Sequence, residues 1–166
     1  KPGVVFHDGS PLTATVVKNN LDAYRGRYPN RSSTLFAFAL DNIESVTTVD
    51  EMTVRVTTVV PWVAFPASLY SSGRLGILSQ SQLDAPVSAC ETEPVGTGPF
   101  RFVSWDRGES LKVVRNEQYW QKAPDGKPYP YLNAIDFQPV ASSDERLAAL
   151  VKGDLNMIHT SAVSDL

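Results

Sequence analysis

The side chains best able to do chemistry in this chain are few: two histidines, His7 and His159, and one cysteine, Cys90. No cysteine or second histidine stands near His7. No Gly-x-Ser-x-Gly turn presents any of the serines as a nucleophile. The sequence therefore does not read as an enzyme. Metal binding has no better support. Neither Cys-x-x-Cys nor His-x-x-x-His occurs, and the adjacent His7 and Asp8 suit a turn better than two ligands from one element. Gly96-Thr97-Gly98-Pro99 and Gly126-Lys127-Pro128 lack the Gly-Lys-Ser/Thr that completes a phosphate-cradling loop. No metal and no cofactor is expected. Cys90 cannot form an internal disulfide. It reads as a buried or inert thiol, or as half of a disulfide whose partner lies outside the chain. Asn30-Arg31-Ser32 fits a glycosylation acceptor and reads as chance.

Binding chemistry is concentrated in residues 61–74, Pro61-Trp62-Val63-Ala64-Phe65-Pro66-Ala67-Ser68-Leu69-Tyr70-Ser71-Ser72-Gly73-Arg74. Three aromatics and a cation fall within one helix-plus-loop segment. Trp62, Phe65 and Leu69 share a helical face and suit burial. Tyr70 to Arg74 suit the lining of a cleft. Tyr70, Arg74 and Trp62 are the candidate ligand contacts.

The elements that must position these residues alternate in type. Val4-Val5-Phe6 is a short strand candidate leading into the turn His7-Asp8-Gly9-Ser10-Pro11. Thr13 stands where a helix N-cap belongs. Val16, Val17, Leu21 and Tyr24 then form one helical stripe, closed by Gly26 and Pro29. Ser32 or Ser33 caps a second helix through Leu35, Phe36 and Leu40. Residues 43–49 and 53–59 read as a hairpin of β-branched alternation, with Asp50-Glu51 in its turn. Gly76 to Ser79 reads as a strand, with Ser79 or Ser81 capping a helical turn. Residues 84–94 are polar, Pro-containing and aperiodic, and read as a linker. A second hairpin follows, 100–105 and 111–115 around Asp106-Arg107-Gly108-Glu109. Ile135 and Phe137 alternate with Asp136 and Gln138. Ser142 or Ser143 caps a last helix, with Asp144 and Glu145 in its first turn, Leu147, Leu150 and Val151 as its buried stripe, and Gly153 as its stop. Leu155 to Ile158 begins another strand.

The totals exclude several classes. At 166 residues, 42% hydrophobic and 20% charged, the chain can bury a core and is neither disordered nor a coiled coil. Fifteen basic against 18 acidic residues give a net charge of -3, which argues against nucleic acid. No apolar run approaches the ~20 residues of a membrane span.

The ordered set of motifs resembles one family. It begins with Phe6-His7-Asp8-Gly9-Ser10-Pro11-Leu12-Thr13-Ala14 before a helix. An Ile43-Glu44-Ser45-Val46 / Thr53-Val54-Arg55-Val56 hairpin follows, then Gly96-Thr97-Gly98-Pro99-Phe100 before a strand ending at Trp105. Arg115-Asn116-Glu117-Gln118-Tyr119-Trp120 comes next, then Ile135-Asp136-Phe137, then Glu145-Arg146 with Leu150 before Gly153-Asp154. This is similar to the family 5 extracellular solute-binding proteins of bacterial ABC importers, across almost the whole chain. Thr15 and Val16 where acidic residues are common, Glu117 where Pro is common, and Asn156 where Asp is common are departures that leave the resemblance intact.

The resemblance implies an α/β, periplasmic-binding-protein-like fold of the type II, cluster C-like kind, with mixed sheets and packed helices. It implies a much longer parent, of which this chain is a fragment. Residues 1–92 would form a small peripheral lobe and 93–166 the beginning of the main lobe, joined where Gly96, Gly98 and Pro99 redirect the chain. Gly96 and Gly98 are expected to adopt backbone angles closed to other residues, and Tyr119 and Trp120 to pack the lobe surface. The incomplete second part should expose a sheet edge or apolar face and pair through it. The implied function is capture of di- or oligopeptides for delivery to an ABC transporter permease. The implied location is periplasmic or extracellular, with membrane contact only through a lipid anchor or the permease. The alternatives are a nickel-chelate, haem or oligosaccharide carrier, or a ligand-sensing interaction module.

Overall fold

A computed structural model describes residues 1–33, 40–69 and 75–161. In chain order its elements are α1 (Ala14–Tyr24), β1 (Ile43–Thr48), β2 (Val54–Thr58), α2 (Phe65–Ser68), α3 (Gln80–Asp84), α4 (Val87–Thr92), β3 (Phe100–Asp106), β4 (Ser110–Arg115), β5 (Ala134–Phe137) and α5 (Ser143–Lys152). Most of the helix expected from Ser32 or Ser33 to Leu40 lies outside the described residues.

The first part is built on α1. Thr13 caps it, its hydroxyl accepting from the Val16 N–H, and the Glu51 carbonyl at the β1–β2 turn accepts from the Ala14 N–H at 2.8 Å. Two free donors of the first turn are thereby satisfied, and the turn is fixed against the helix. β1 and β2 pair antiparallel. Their inner faces meet α1 in a core of Leu21, Leu40, Ile43 and Val46, with Val17, Val56, Phe65 and others packed around it.

Gly76 to Ser79 is not a strand. Asn20, 1% exposed, takes both backbone groups of Leu78: its Oδ1 accepts the Leu78 N–H at 2.8 Å and its Nδ2 donates to the Leu78 carbonyl at 2.9 Å. A side-chain amide thus does what a neighbouring strand would do. Ser79 then caps α3 as expected. Residues 84–94 also differ from expectation, since α4 occupies most of that stretch. Arg31 holds it in place, donating to the carbonyls of Gln82, Leu83 and Ala85 at the C-terminal end of α3. A cation on those exposed carbonyls complements the helix dipole. Cys90, half-buried, donates its thiol to the Gln82 carbonyl at 3.8 Å.

The second part is an antiparallel sheet of order β3-β4-β5. Cross-strand rows Phe102/Val113/Ile135 and Trp105/Leu111/Phe137 place six apolar side chains on one face. The register slips between Phe102 and Ser104, so Val103 is the unopposed residue of a bulge. Ser142 caps α5 and Gly153 ends it in the left-handed region, both as expected. Its buried stripe is absent: Leu147 and Leu150 are half-buried and Val151 is 81% exposed. No strand forms over Leu155 to Ile158. Among the described residues, every buried apolar side chain except Ala123 and Pro130 lies at or before Leu83. The first part therefore owns a closed core, whereas the second keeps its apolar face half open.

Candidate functional site

Tyr70 and Arg74 lie outside the described residues. Trp62 is half-buried, its ring edge-on to Phe65 with centroids 5.5 Å apart. Phe65 in turn packs on the α1 core. The aromatic helix is shorter than expected, with Leu69 exposed. Two prolines, Pro61 and Pro66, explain this: each lacks an N–H and restricts the residue before it. Trp62 is thus anchored by Phe65 while keeping part of its ring accessible.

The densest polar construction is elsewhere, where the N-terminal loop meets the segment between α4 and β3. Val5 bridges Pro11 rather than a strand. Phe6, 1% exposed, donates to the Ser10 carbonyl, and Leu12 donates to Val4. Gly9, at φ +85°, allows this tight loop. The loop aims His7 at residues 96–98. The His7 N–H donates to the Gly96 carbonyl at 2.9 Å. Its ring Nε2 lies 3.0 Å from the Gly98 carbonyl, and the Gly96 N–H lies 3.4 Å from Nδ1. The Asn116 amide donates to the same Gly98 carbonyl at 3.0 Å. Gln82 completes the clasp, accepting from the Val95 N–H and donating to the Glu93 carbonyl.

Asp8 ties this loop to α3. Its carboxylate accepts from the Ser10 N–H and hydroxyl, and from the Ser81 hydroxyl at 2.9 Å. Partial burial pushes its pKa up, but these hydrogen bonds, with one from Ser79, outweigh that and hold it at about 2, against an ordinary 3.8. Gly96 and Gly98 correct an expectation. Neither has positive φ, and a Cβ would meet nothing within 4 Å at Gly98 and only the Gly98 nitrogen, at 4.0 Å, at Gly96. The turn is held by the side chains that clasp it, not by glycine-only backbone angles.

An open groove of about 830 Å³ runs along the apolar face of the β3-β4-β5 sheet, between Trp105, Ile135 and Phe137 on one side and Arg146, Met157 and Ile158 on the other. Arg146 donates to the carbonyls of Val140 and Ala141, and its buried Nε has no partner among the described residues. No group of three or more His, Cys, Asp or Glu converges as a metal site among the described residues. No helix among them is long and apolar enough to cross a membrane. Sequence reasoning singled out His7 and Asp8 as a turn. It did not find the parts of Asn20, Gln82 and Asn116, because their partners are backbone groups 11 to 58 residues distant.

Three comparisons bear on this arrangement. The glutathione-binding protein GsiB of Pectobacterium atrosepticum is 35% identical over 154 residues, 92% of this chain and 28% of its own length. The structure of MoaA from A. tumefaciens R10 in complex with mannopinic acid superposes with a TM-score of 0.78 at 29% identity, over 93% of this chain and 30% of that one. The oligopeptide-binding protein AppA of Bacillus subtilis, in complex with a nonapeptide, shares the fold with a TM-score of 0.74 at 23% identity, over 93% of this chain and 30% of that one. The chain therefore spans less than a third of the length of these relatives. The family model described as "Bacterial extracellular solute-binding proteins, family 5 Middle" matches residues 1–166. A mixed α/β chain matched along its whole length by that model belongs to the family 5 bacterial extracellular solute-binding proteins.

Proposed function

We propose that this chain is part of a receptor that captures small peptides and delivers them to an ABC transporter permease. The observation that carries the reading is the family match along all 166 residues together with 35% identity to a glutathione-binding protein, since glutathione is itself a tripeptide. The receptor works by binding and not by catalysis. It acts outside the cytoplasmic membrane, in the periplasm or on the cell surface, where a lipid anchor would keep it near its permease.

In this reading residues 1–92 belong to a small peripheral lobe and 93–166 to the main one. The intact receptor closes its lobes around the ligand, and the ligand stabilises the closed state by contacting both sides. Hydrogen bonds to peptide backbone, with water filling the space around variable side chains, give affinity without demanding one sequence. Trp62, Tyr70 and Arg74 supply contacts from the small lobe. Replacing Tyr70 and Arg74 together by Ala in the full-length parent should weaken peptide binding about tenfold or more in titration calorimetry, the scale of one or two lost contacts. Unchanged affinity would remove these residues from the site.

A second reading is favoured by the likeness to the mannopinic acid complex at 29% identity: the cargo is then a small organic acid. Native mass spectrometry of the full-length parent, purified without denaturation, separates the two. An adduct with the mass of a di- to pentapeptide, lost on unfolding, supports peptide capture. An adduct of opine-like mass moves the cargo to organic acids. A nickel, haem or sugar signature overturns both.

A further inference from the structure

We infer that His7 is a proton-sensitive element of the clasp between the N-terminal loop and the turn between α4 and β3, its ring accepting the Gly96 N–H only while the imidazole is neutral. The hydrogen bonds fix the tautomer. A carbonyl can only accept, so Nε2, 3.0 Å from the Gly98 carbonyl, carries the hydrogen. The Gly96 N–H can only donate, so Nδ1, 3.4 Å from it, presents its lone pair. Both contacts are satisfied at once by one form of the ring, the neutral Nε2–H tautomer. A second proton would put an N–H on Nδ1 facing the Gly96 N–H, turning attraction into repulsion. The contact to Gly98 would survive, because Nε2 donates in either state.

The surroundings make this a switch rather than a rigid fixture. His7 is half-buried and lines a cavity of about 260 Å³, so protons reach it. The charged groups around that cavity are Asp8 on its own loop, Glu93 before the turn and Arg101 on β3. Asp8 is engaged by Ser10 and Ser81 and gives His7 no hydrogen bond in place of Gly96. Asn116, the other partner of Gly98, does not titrate. Of the side chains that hydrogen-bond residues 95–98 among the described residues, His7, Gln82 and Asn116, only the imidazole can take up a proton.

The test is hydrogen exchange of the full-length parent, resolved to single amides and expressed as protection factors so that the intrinsic pH dependence of exchange drops out. In the wild type, protection of the Gly96 amide should fall about fivefold or more between pH 7.5 and 5.5, the factor for one lost hydrogen bond. The Val95 amide, bound to Gln82, should hold its protection and serves as internal reference. His7→Gln keeps a neutral donor and acceptor but cannot titrate, and should abolish the pH response. His7→Ala should show low Gly96 protection at both pH values. The inference is overturned if wild-type Gly96 protection does not change, or if His7→Gln loses as much of it as the wild type does. The comparison of wild type with His7→Gln decides the matter even if the Ala variant fails to fold.

Discussion

At the scale of single residues, polar side chains substitute for missing secondary structure. Asn20 is the clearest case, standing in for a strand against Leu78. Asn20→Leu would leave both Leu78 backbone groups without partners in a part-buried setting. At ~1–3 kcal/mol for each unmet group, the expected loss is about 2–6 kcal/mol, read by urea denaturation. Asp8 gives a pH signature of its own. Its folded pKa, about 2, lies below its ordinary 3.8. Its contribution to stability is therefore fully present above about pH 3.8 and disappears as the pH falls through 2. Thermal melts of wild type and Asp8→Asn should differ at pH 6, converge below pH 4 and coincide near pH 2.

At the scale of elements, the turns divide into those that need glycine and those that do not. Gly9 has φ +85° and Gly98 does not have positive φ. Gly9→Ala should cost ~1–2 kcal/mol for left-handed backbone on a residue with a Cβ. Gly98→Ala has open space and should change stability by less than ~0.5 kcal/mol. Both are measurable by the same melts.

The elements also show what could be read beforehand. The α1 and α5 caps, the two hairpins and the α5 stop at Gly153 were legible, because a Ser or Thr before an apolar stripe and a Gly after it act through contacts only a few residues long. The strand expected at 76–79 and the linker expected at 84–94 were misread. Each is decided by a side chain far away, Asn20 in one case and Arg31 in the other. Of the expected ligand contacts, Trp62 was placed on a helix that its flanking prolines shorten. Trp62 in fact lies before α2, and its contact with Phe65 is made across the turn that leads into that helix.

At the scale of the molecule, the two parts differ in how much of their apolar surface is covered. The 166-residue chain alone leaves Trp105 48% and Phe137 51% exposed on one sheet face, beside an edge of β5 that pairs with no other strand among the described residues. Such a face and edge invite pairing with a second copy. Sedimentation of the isolated chain at increasing concentration should show a dimer. Phe137→Lys should return it to monomer with little change in melting temperature, since that side chain is half in water. A wild-type chain that stays monomeric at the highest concentration would show that the groove tolerates solvent.

The clasp at His7 has a consequence in time as well as in space. Its contacts join residues 89 to 91 positions apart, and Lys1 reaches Trp120 across 119. The α1 core, by contrast, is complete by Leu75. During synthesis the core of Leu21, Leu40, Ile43 and Val46 can close before the turn at 96–98 exists to receive His7. The loop at residues 4–12 must stay unlatched until the turn at 96–98 has been made, so it finds its place later than the α1 core that follows it in sequence.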